Sequence, residues 1–263
     1  MMNTKCSCTV VLFLIFSFNI MIFLPTAASP ATIIWEENFE SDGLDNWNIF
    51  GFNVNDATPL PGNISDTNGV LRIMGPDTQE NVAEYPSTQA TGTWSFDVDV
   101  TPTKRNHFYI AFFGEKMGNF SGMSDFTETI PFEYGILVVT ASFATWDSEF
   151  VFYRRTKGIS SITSLKRFTP SQILGWHHFD ITRSMEGEFN IYLNGSHIMK
   201  VLNLAYTTTE VFRISGGPGP GIDNIVVRDD FIPTSTTKND INVSFEFLAL
   251  SLLFLGLFRR KRN

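Results

Sequence analysis

Cysteine is almost missing from this chain. Cys6 and Cys8 are the only two among 263 residues, and both precede an N-terminal apolar run, so a domain downstream has neither a disulfide nor a thiolate metal site. Their place ahead of that run is also wrong for a lipobox. Positive charge is short as well: 19 basic against 27 acidic residues. Setting aside Lys5, Glu246 and the four basic residues at the C-terminus leaves about −12 on the middle of the chain. An acidic surface of that kind argues against nucleic acid as a partner and agrees with simple solubility. Helical periodicity is the third absence. No stretch of about ten residues between 32 and 231 repeats its apolar side chains with the 3.6-residue period of a helix.

Extended segments fill the place of helices. Phenylalanine is frequent, 26 residues, and aromatic side chains suit the pleated, two-sided surfaces of a sandwich core. The clearest stretch runs from Trp176 to Val201. Phe179 and Ile181 alternate with Asp180 and Thr182, and Phe189, Ile191 and Leu193 alternate with Asn190 and Tyr192. That period of two predicts half-buried antiparallel strands. Met185-Glu186-Gly187 closes the first hairpin, and Asn194-Gly195 is suited to the positive φ angles of a type I′ turn.

The rest of the middle follows the same pattern. Ile33 to Phe39 reads as the first strand, and Val70 to Met74 as the next. Trp94, Phe96, Val98 and Val100 alternate with Ser95, Asp97, Asp99 and Thr101, one face inward and one outward. Phe108 to Phe113 and Tyr134 to Phe143 are near-continuous apolar runs, expected to be central strands covered on both faces. Phe150 to Arg154, Val211 to Ser215 and Ile222 to Val227 complete the set. Gly43 to Asn68 is rich in Asn, Asp, Gly and Pro and reads as loop. The long stretch from Gly114 to Glu133, with Met117, Phe120, Met123 and Phe126, reads as an ordered flap over one end of the sandwich.

Several pieces carry a resemblance. Trp176-His177-x-Phe179-x-Ile181-x-Arg183, then Gly187-x-Phe189-x-Ile191-Tyr192-x-Asn194-Gly195, is similar to the central strands of the concanavalin A-like lectin/glucanase superfamily, in particular its laminin G-like members. Glu37-Asn38-Phe39-Glu40-Ser41 with Asp45-Asn46-Trp47 resembles its opening strand and first loop. Gly221 to Val227 resembles its closing strand. The resemblance covers about residues 33–231 and implies an all-β fold, a two-sheet antiparallel jelly-roll sandwich over residues 32–231.

The two ends read differently. Residues 1–31 hold one Lys, an apolar run from Thr9 to Leu24 and then small residues, the order of a secretory signal peptide; an uncleaved N-terminal anchor is the alternative. Residues 232–244 are a Ser/Thr-rich stalk without a core of its own. Residues 245–263 are an apolar segment with a basic end, Arg259-Arg260-Lys261-Arg262, which fits a short C-terminal transmembrane helix with its positive end inside. The motif around Val243-Ser244-Phe245-Glu246-Phe247, the apolar helix and the basic cluster together resemble sorting tails processed by exosortases and archaeosortases. Either version places the sandwich at the extracellular face of the cell membrane.

The candidate chemistry is modest. Glucanases of the resembled superfamily carry Glu-x-Asp-x-Glu on one strand, which sets carboxylates on one face as nucleophile and acid. That triplet is absent here, which favours a non-catalytic domain. The pairs Asp97/Asp99, Asp147/Glu149 and Glu186/Glu188 have the right alternation, and Asp97, Asp99 and Asp180 remain the catalytic candidates of a saccharide hydrolase. His177 and His178 are adjacent on a strand and point to opposite faces, so they cannot share a zinc ion. Calcium is the metal the resemblance implies, with Glu37 and Asp223 as its candidate ligands at one edge. The face bearing Trp176, His178 and Asp180 beside Asn190 and Tyr192 mixes aromatic planes with hydrogen-bonding groups. Such a face suits a carbohydrate or a surface glycoconjugate. Asn63, Asn119, Asn194 and Asn242 each open an Asn-x-Ser glycosylation sequon.

Overall fold

The computed structural model describes residues 31–40, 44–53, 59–66, 68–76, 78–101, 107–117, 131–139, 149–157 and 161–231. Both apolar ends, the stalk, Asn119 and Asn242, and most of the expected flap lie outside those residues. Contacts divide the chain into Met1–Ala31 and Thr32–Asn263, and only the second unit is described below. Among the described residues the secondary structure is entirely extended, and no helix is long and apolar enough to cross a membrane.

The strands in chain order are β1 (Ile33–Glu37), β2 (Asn48–Asn53), β3 (Pro59–Leu60), β4 (Ile64–Asp66), β5 (Leu71–Ile73), β6 (Gln79–Pro86), β7 (Gly92–Val100) and β8 (His107–Gly114). They continue as β9 (Glu133–Val139), β10 (Glu149–Arg155), β11 (Ile162–Phe168), β12 (Gly175–Arg183), β13 (Glu188–Leu193), β14 (Ser196–Leu202), β15 (Val211–Gly216) and β16 (Gly221–Arg228). Two antiparallel sheets result. The front sheet runs β14-β13-β12-β7-β16-β5-β4, with β1 also paired to β16. The back sheet runs β11-β10-β9-β8-β15-β6-β2-β3.

Alternation along each strand builds the core between the sheets. Trp94, Phe96 and Val98 of β7, Phe179 and Ile181 of β12, and Phe189 and Ile191 of β13 all turn inward and are fully buried. They meet the back sheet ring to ring. Phe179 and Phe150 stand edge to face at 5.0 Å, Phe96 and Phe212 at 6.0 Å, and Phe112 and Phe189 at 6.2 Å. Each such pair contributes about 0.5–1.5 kcal/mol beyond the area it buries. The apolar runs read as central strands are central as far as they are described: β8 and β9 lie inside the back sheet and every residue of β9 is buried, while residues 140–143 of the second run lie outside the described residues.

Three expectations change. Residues 43–68, read as loop, contain β2, β3 and β4, because β2 pairs along its whole length with β6. β6 itself, and β11, carry too many polar residues to show a clean period. In β6 this is because Glu84 belongs to a buried charged network, described below, while β11 is an edge strand with one half-exposed face.

The predicted turns hold. Asn194 and Gly195 have φ of 50° and 75°, the type I′ signature. Nothing lies within 4 Å of a methyl placed on Gly195, so only the backbone strain distinguishes alanine there. Gly195→Ala is expected to cost about 1 kcal/mol, measured as a lower urea midpoint with an unchanged slope.

Candidate functional site

The outer face of the front sheet is set by register. β12 and β7 pair so that Trp176 stands opposite Asp99, His178 opposite Asp97, and Asp180 opposite Ser95. On the other side Asp180 faces Tyr192 and Thr182 faces Asn190. The period of two therefore does what the alternation predicts, bringing Trp176, His178, Asp180, Asp97 and Asp99 onto one surface while His177 turns inward. His177 is buried against Phe150, with its Nε2 at 2.8 Å from the Ile173 carbonyl oxygen.

A bulge completes the surface. β16 pairs with β5 through Gly221 and Ile222, and with β1 from Ile225 onward, and its register against β7 shifts between Asp223 and Val226. Asn224 sits in that break with φ of 50°, a conformation Asn tolerates better than most residues. The break turns its amide toward β7, where Asn224 Nδ2 donates to Asp97 Oδ2 at 2.8 Å.

The result is an open cleft of about 290 Å³ lined by Asp97, Trp176, His177, His178, Asn194, Asp223 and Asn224. Asp97 is its hub. Its Oδ1 lies 2.6 Å from His178 Nδ1 and its Oδ2 accepts from Asn224. His178 Nε2 is 3.4 Å from Asp180 Oδ2, and Asp180 Oδ1 accepts from Ser95 Oγ at 2.5 Å. The Asn194 side chain closes one wall by accepting the His178 backbone N–H at 2.8 Å, which leaves its NH₂ group as a donor. Trp176 closes the other, with its side chain 51 % exposed.

Asp223 sits in the wall partly buried and beside like charge. Burial first, then the charges of Asp97, Glu40 and Asp66, raise its carboxyl above the ordinary 3.8, against the opposing effect of the hydrogen bond from Asn224 N. A raised native value means that folding favours the protonated form. The stability it contributes is complete below the ordinary value and is lost as pH rises through the raised one. Asp223→Asn keeps the acceptor for Asn224 N and removes the charge. It is expected to melt later than the parent at pH 7, by roughly a few tenths of a kcal/mol, with the gain vanishing below about pH 3; thermal melts at the two pH values measure it.

The sequence-derived site is altered in several places. Asn190 is on the right face but fully buried; its Nδ2 donates to Glu188 Oε1 at 3.0 Å, and its Oδ1 has no partner among the described residues. It is covered, not presented. Tyr192 is half-buried beside His197, and burial, then the charges of Asp180 and Glu188, raise its hydroxyl. It flanks the cleft without lining it. Of the catalytic candidates, Asp99 is tied to Arg72 Nη2 at 2.5 Å, and Asp97 and Asp180 are engaged as above. Glu37 pairs with Ile225 of β16, and Asp223 of the same strand pairs with Asp97 of β7. Each carboxylate nevertheless turns to a backbone N–H, of Phe39 and Asn224 respectively. Among the described residues no three carboxylate, imidazole or thiolate side chains converge as a metal group. Asn63 and Asn194 are exposed, as sequons require.

Asn224 was missed by sequence reasoning. Its signal was the Asp-Asn pair interrupting the apolar alternation of the last strand. A charged network in the back sheet was missed altogether. Arg213 Nε reaches Glu84 Oε1 at 2.9 Å, its Nη1 reaches Glu133 Oε2 at 2.5 Å, and its Nη2 donates to the Glu115 carbonyl. Tyr153 Oη donates to Glu133 Oε1 at 2.9 Å, and burial, then the Glu133 charge, push that hydroxyl well above its ordinary value. All of Arg213, Glu84 and Glu133 are buried. The network lies on the face of the back sheet opposite the inter-sheet core.

Comparison with known proteins bears on the fold. No protein-family model matches the sequence, and no curated protein matches it significantly. Solved structures do match in shape. A protein of unknown function with a galectin-like fold from Bacillus subtilis is 11 % identical, with 77 % of this chain and 98 % of that one covered and a TM-score of 0.55. The carbohydrate recognition domain of Emp47p is 5 % identical, covering 78 % and 99 %, with a TM-score of 0.54. A laminarinase from Flavobacterium sp. UMI-01 is 15 % identical, covering 74 % and 99 %, with a TM-score of 0.53. The fold is a lectin-like jelly roll. At such identities the likeness speaks to the fold and not to the site. Within this jelly roll the cleft lies on the outer face of the front sheet, at the end where β12 begins and the Asn194-Gly195 turn projects.

Proposed function

We propose that the jelly roll is a non-catalytic carbohydrate-binding module, held at the cell surface by its C-terminal segment, with the Trp176 cleft as its binding site. The observation that carries this reading is the half-exposed Trp176 ring beside fixed polar groups of His178, Asn194, Asp97 and Asn224. A sugar ring presents C–H faces that stack on an indole and hydroxyls that bond to such groups, so both halves of the wall have a use. One of the structures named above adds weight, since it is a carbohydrate recognition domain.

A saccharide hydrolase is the second reading, favoured by the laminarinase likeness. The commitments of the carboxylates speak against it. Asp99 is neutralised by Arg72, and Asp97 is bonded on both oxygens, so neither is held ready as acid or nucleophile. A glycan array run beside a reducing-sugar assay on residues 31–231 separates the two. Retention of a glycan class without turnover is expected. Turnover lost in Asp97→Asn would transfer the function to the hydrolase reading.

A further inference from the structure

The cleft and the chain ends lie at opposite ends of the front sheet. β1 begins where β16 ends: Ile33 pairs with Arg228, Thr32 N donates to Asp229 Oδ1 at 2.7 Å, and Asp229 N donates to the Thr32 oxygen. The register carries this rim across the sheet. Arg228 faces Thr93 of β7, Gly92 faces Arg183 of β12, Arg183 faces Phe189 of β13, and Glu188 faces Leu202 of β14. The chain thus enters and leaves the domain on the rim that also carries the Met185 turn and the end of β14. Trp176 lies at the other end of β12, roughly 25 Å away at about 3.3 Å per residue.

That rim carries five of the exposed large apolar side chains, among them the three most exposed. Met185 is 83 % exposed, Leu202 68 % and Leu204 56 %, with Ile33 and Ile34 also exposed at the start of β1. They are held in place. Leu204 packs so closely on the turn that a methyl on Gly187 would come within 2.4 Å of it, and Asn203 N donates to the Gly187 oxygen at 2.9 Å. Isolated exposed apolar residues are ordinary, but a group at the rim where both ends emerge is a candidate contact surface.

We propose that this rim docks on the lipid bilayer, inserting Met185, Leu202 and Leu204 at the interface and presenting the Trp176 cleft away from the membrane. The inference rests on the C-terminal anchoring reading. Only 13 residues, 232–244, separate the rim from the apolar segment of residues 245–258 in the sequence, and a chain of that length reaches at most about 45 Å. The tether therefore holds the rim at high local concentration near the bilayer, where even a weak apolar contact is occupied. The contact is apolar and not electrostatic. Lys200 and Arg228 on the rim are outnumbered by Glu186, Glu188, Asp229 and Asp230, so an anionic bilayer is disfavoured and the fitting surface is a zwitterionic one.

The test uses the full chain, with Cys6→Ser and Cys8→Ser, reconstituted into phosphatidylcholine vesicles. An environment-sensitive fluorophore is attached through Met185→Cys, or through Leu174→Cys at the cleft end as the control. Flotation with the vesicles that is lost when residues 245–263 are deleted reports the C-terminal anchor. Blue-shifted emission and quenching by nitroxide-bearing lipids report docking. Flotation with quenching at 185 but not at 174, lost when Leu202→Glu and Leu204→Glu are added, supports the proposal. Flotation with equal, weak quenching at both positions overturns docking and leaves the anchor standing. A blue shift at 185 that follows protein density and ignores the lipid quencher assigns the rim to a second copy of the chain and also overturns it. Failure to float overturns the anchoring reading itself, and docking with it.

Discussion

Trp176→Ala is expected to weaken glycan binding about 30-fold, or about 2 kcal/mol, the loss of a central aromatic contact. The same substitution leaves stability within about 0.5 kcal/mol, because the ring is half in water and crosses no inter-sheet contact. The two readouts together make the prediction specific. A core-edge plug would give the opposite pattern, a lower melting temperature with binding unchanged. Asn224→Ala and Asn194→Ala should weaken binding less, since each removes one polar group from a wall that keeps its stacking plane. Isothermal titration of the glycan class found on the array, beside thermal melts of each variant, measures both quantities.

Arg213→Met is expected to cost about 3–5 kcal/mol of stability, the usual penalty for removing one partner of a buried ion pair. The guanidinium is the shared counter-charge of Glu84 and Glu133, and without it two buried carboxylates remain, with Arg155, among the described residues, the cation left at Glu133. The cost is not the net worth of the network. Adding Glu84→Met should recover part of it, because the second change removes a charge the first left stranded; a double-mutant cycle should show coupling of about 1–3 kcal/mol. Urea midpoints of the parent, both single variants and the double variant give the cycle. A single-variant cost below about 1 kcal/mol would mean that water reaches the network, contrary to the burial of all three side chains.

The two predictions also show what could be read in the chain before its structure. β12, β13 and β14 were legible because their neighbours in space are their neighbours in sequence, joined by turns whose residues tolerate positive φ. Their alternation then fixes which side chains share a face, so Trp176, His178 and Asp180 were found together. Asn190 obeys the same alternation yet is covered, since alternation names a face and says nothing of what lies over it. The Asp97–Asn224 bond spans 127 residues, and Arg213 finds Glu84 across 129 and Glu133 across 80. No local pattern encodes such separations. β6 was lost for that reason: Glu84 is buried in an ion network on the face of the back sheet opposite the core, and a buried Glu reads in sequence as a solvated one.

The central claim is that the Trp176 cleft is where a saccharide sits. The most direct measurement is a heteronuclear NMR titration of residues 31–231 with the glycan class selected on the array. The account predicts shift changes concentrated at the Trp176 indole N–H, the His178 backbone and the Asn194 and Asn224 side-chain amides, all saturating together. Perturbations gathered instead on the back sheet, with those four signals unmoved, would contradict it.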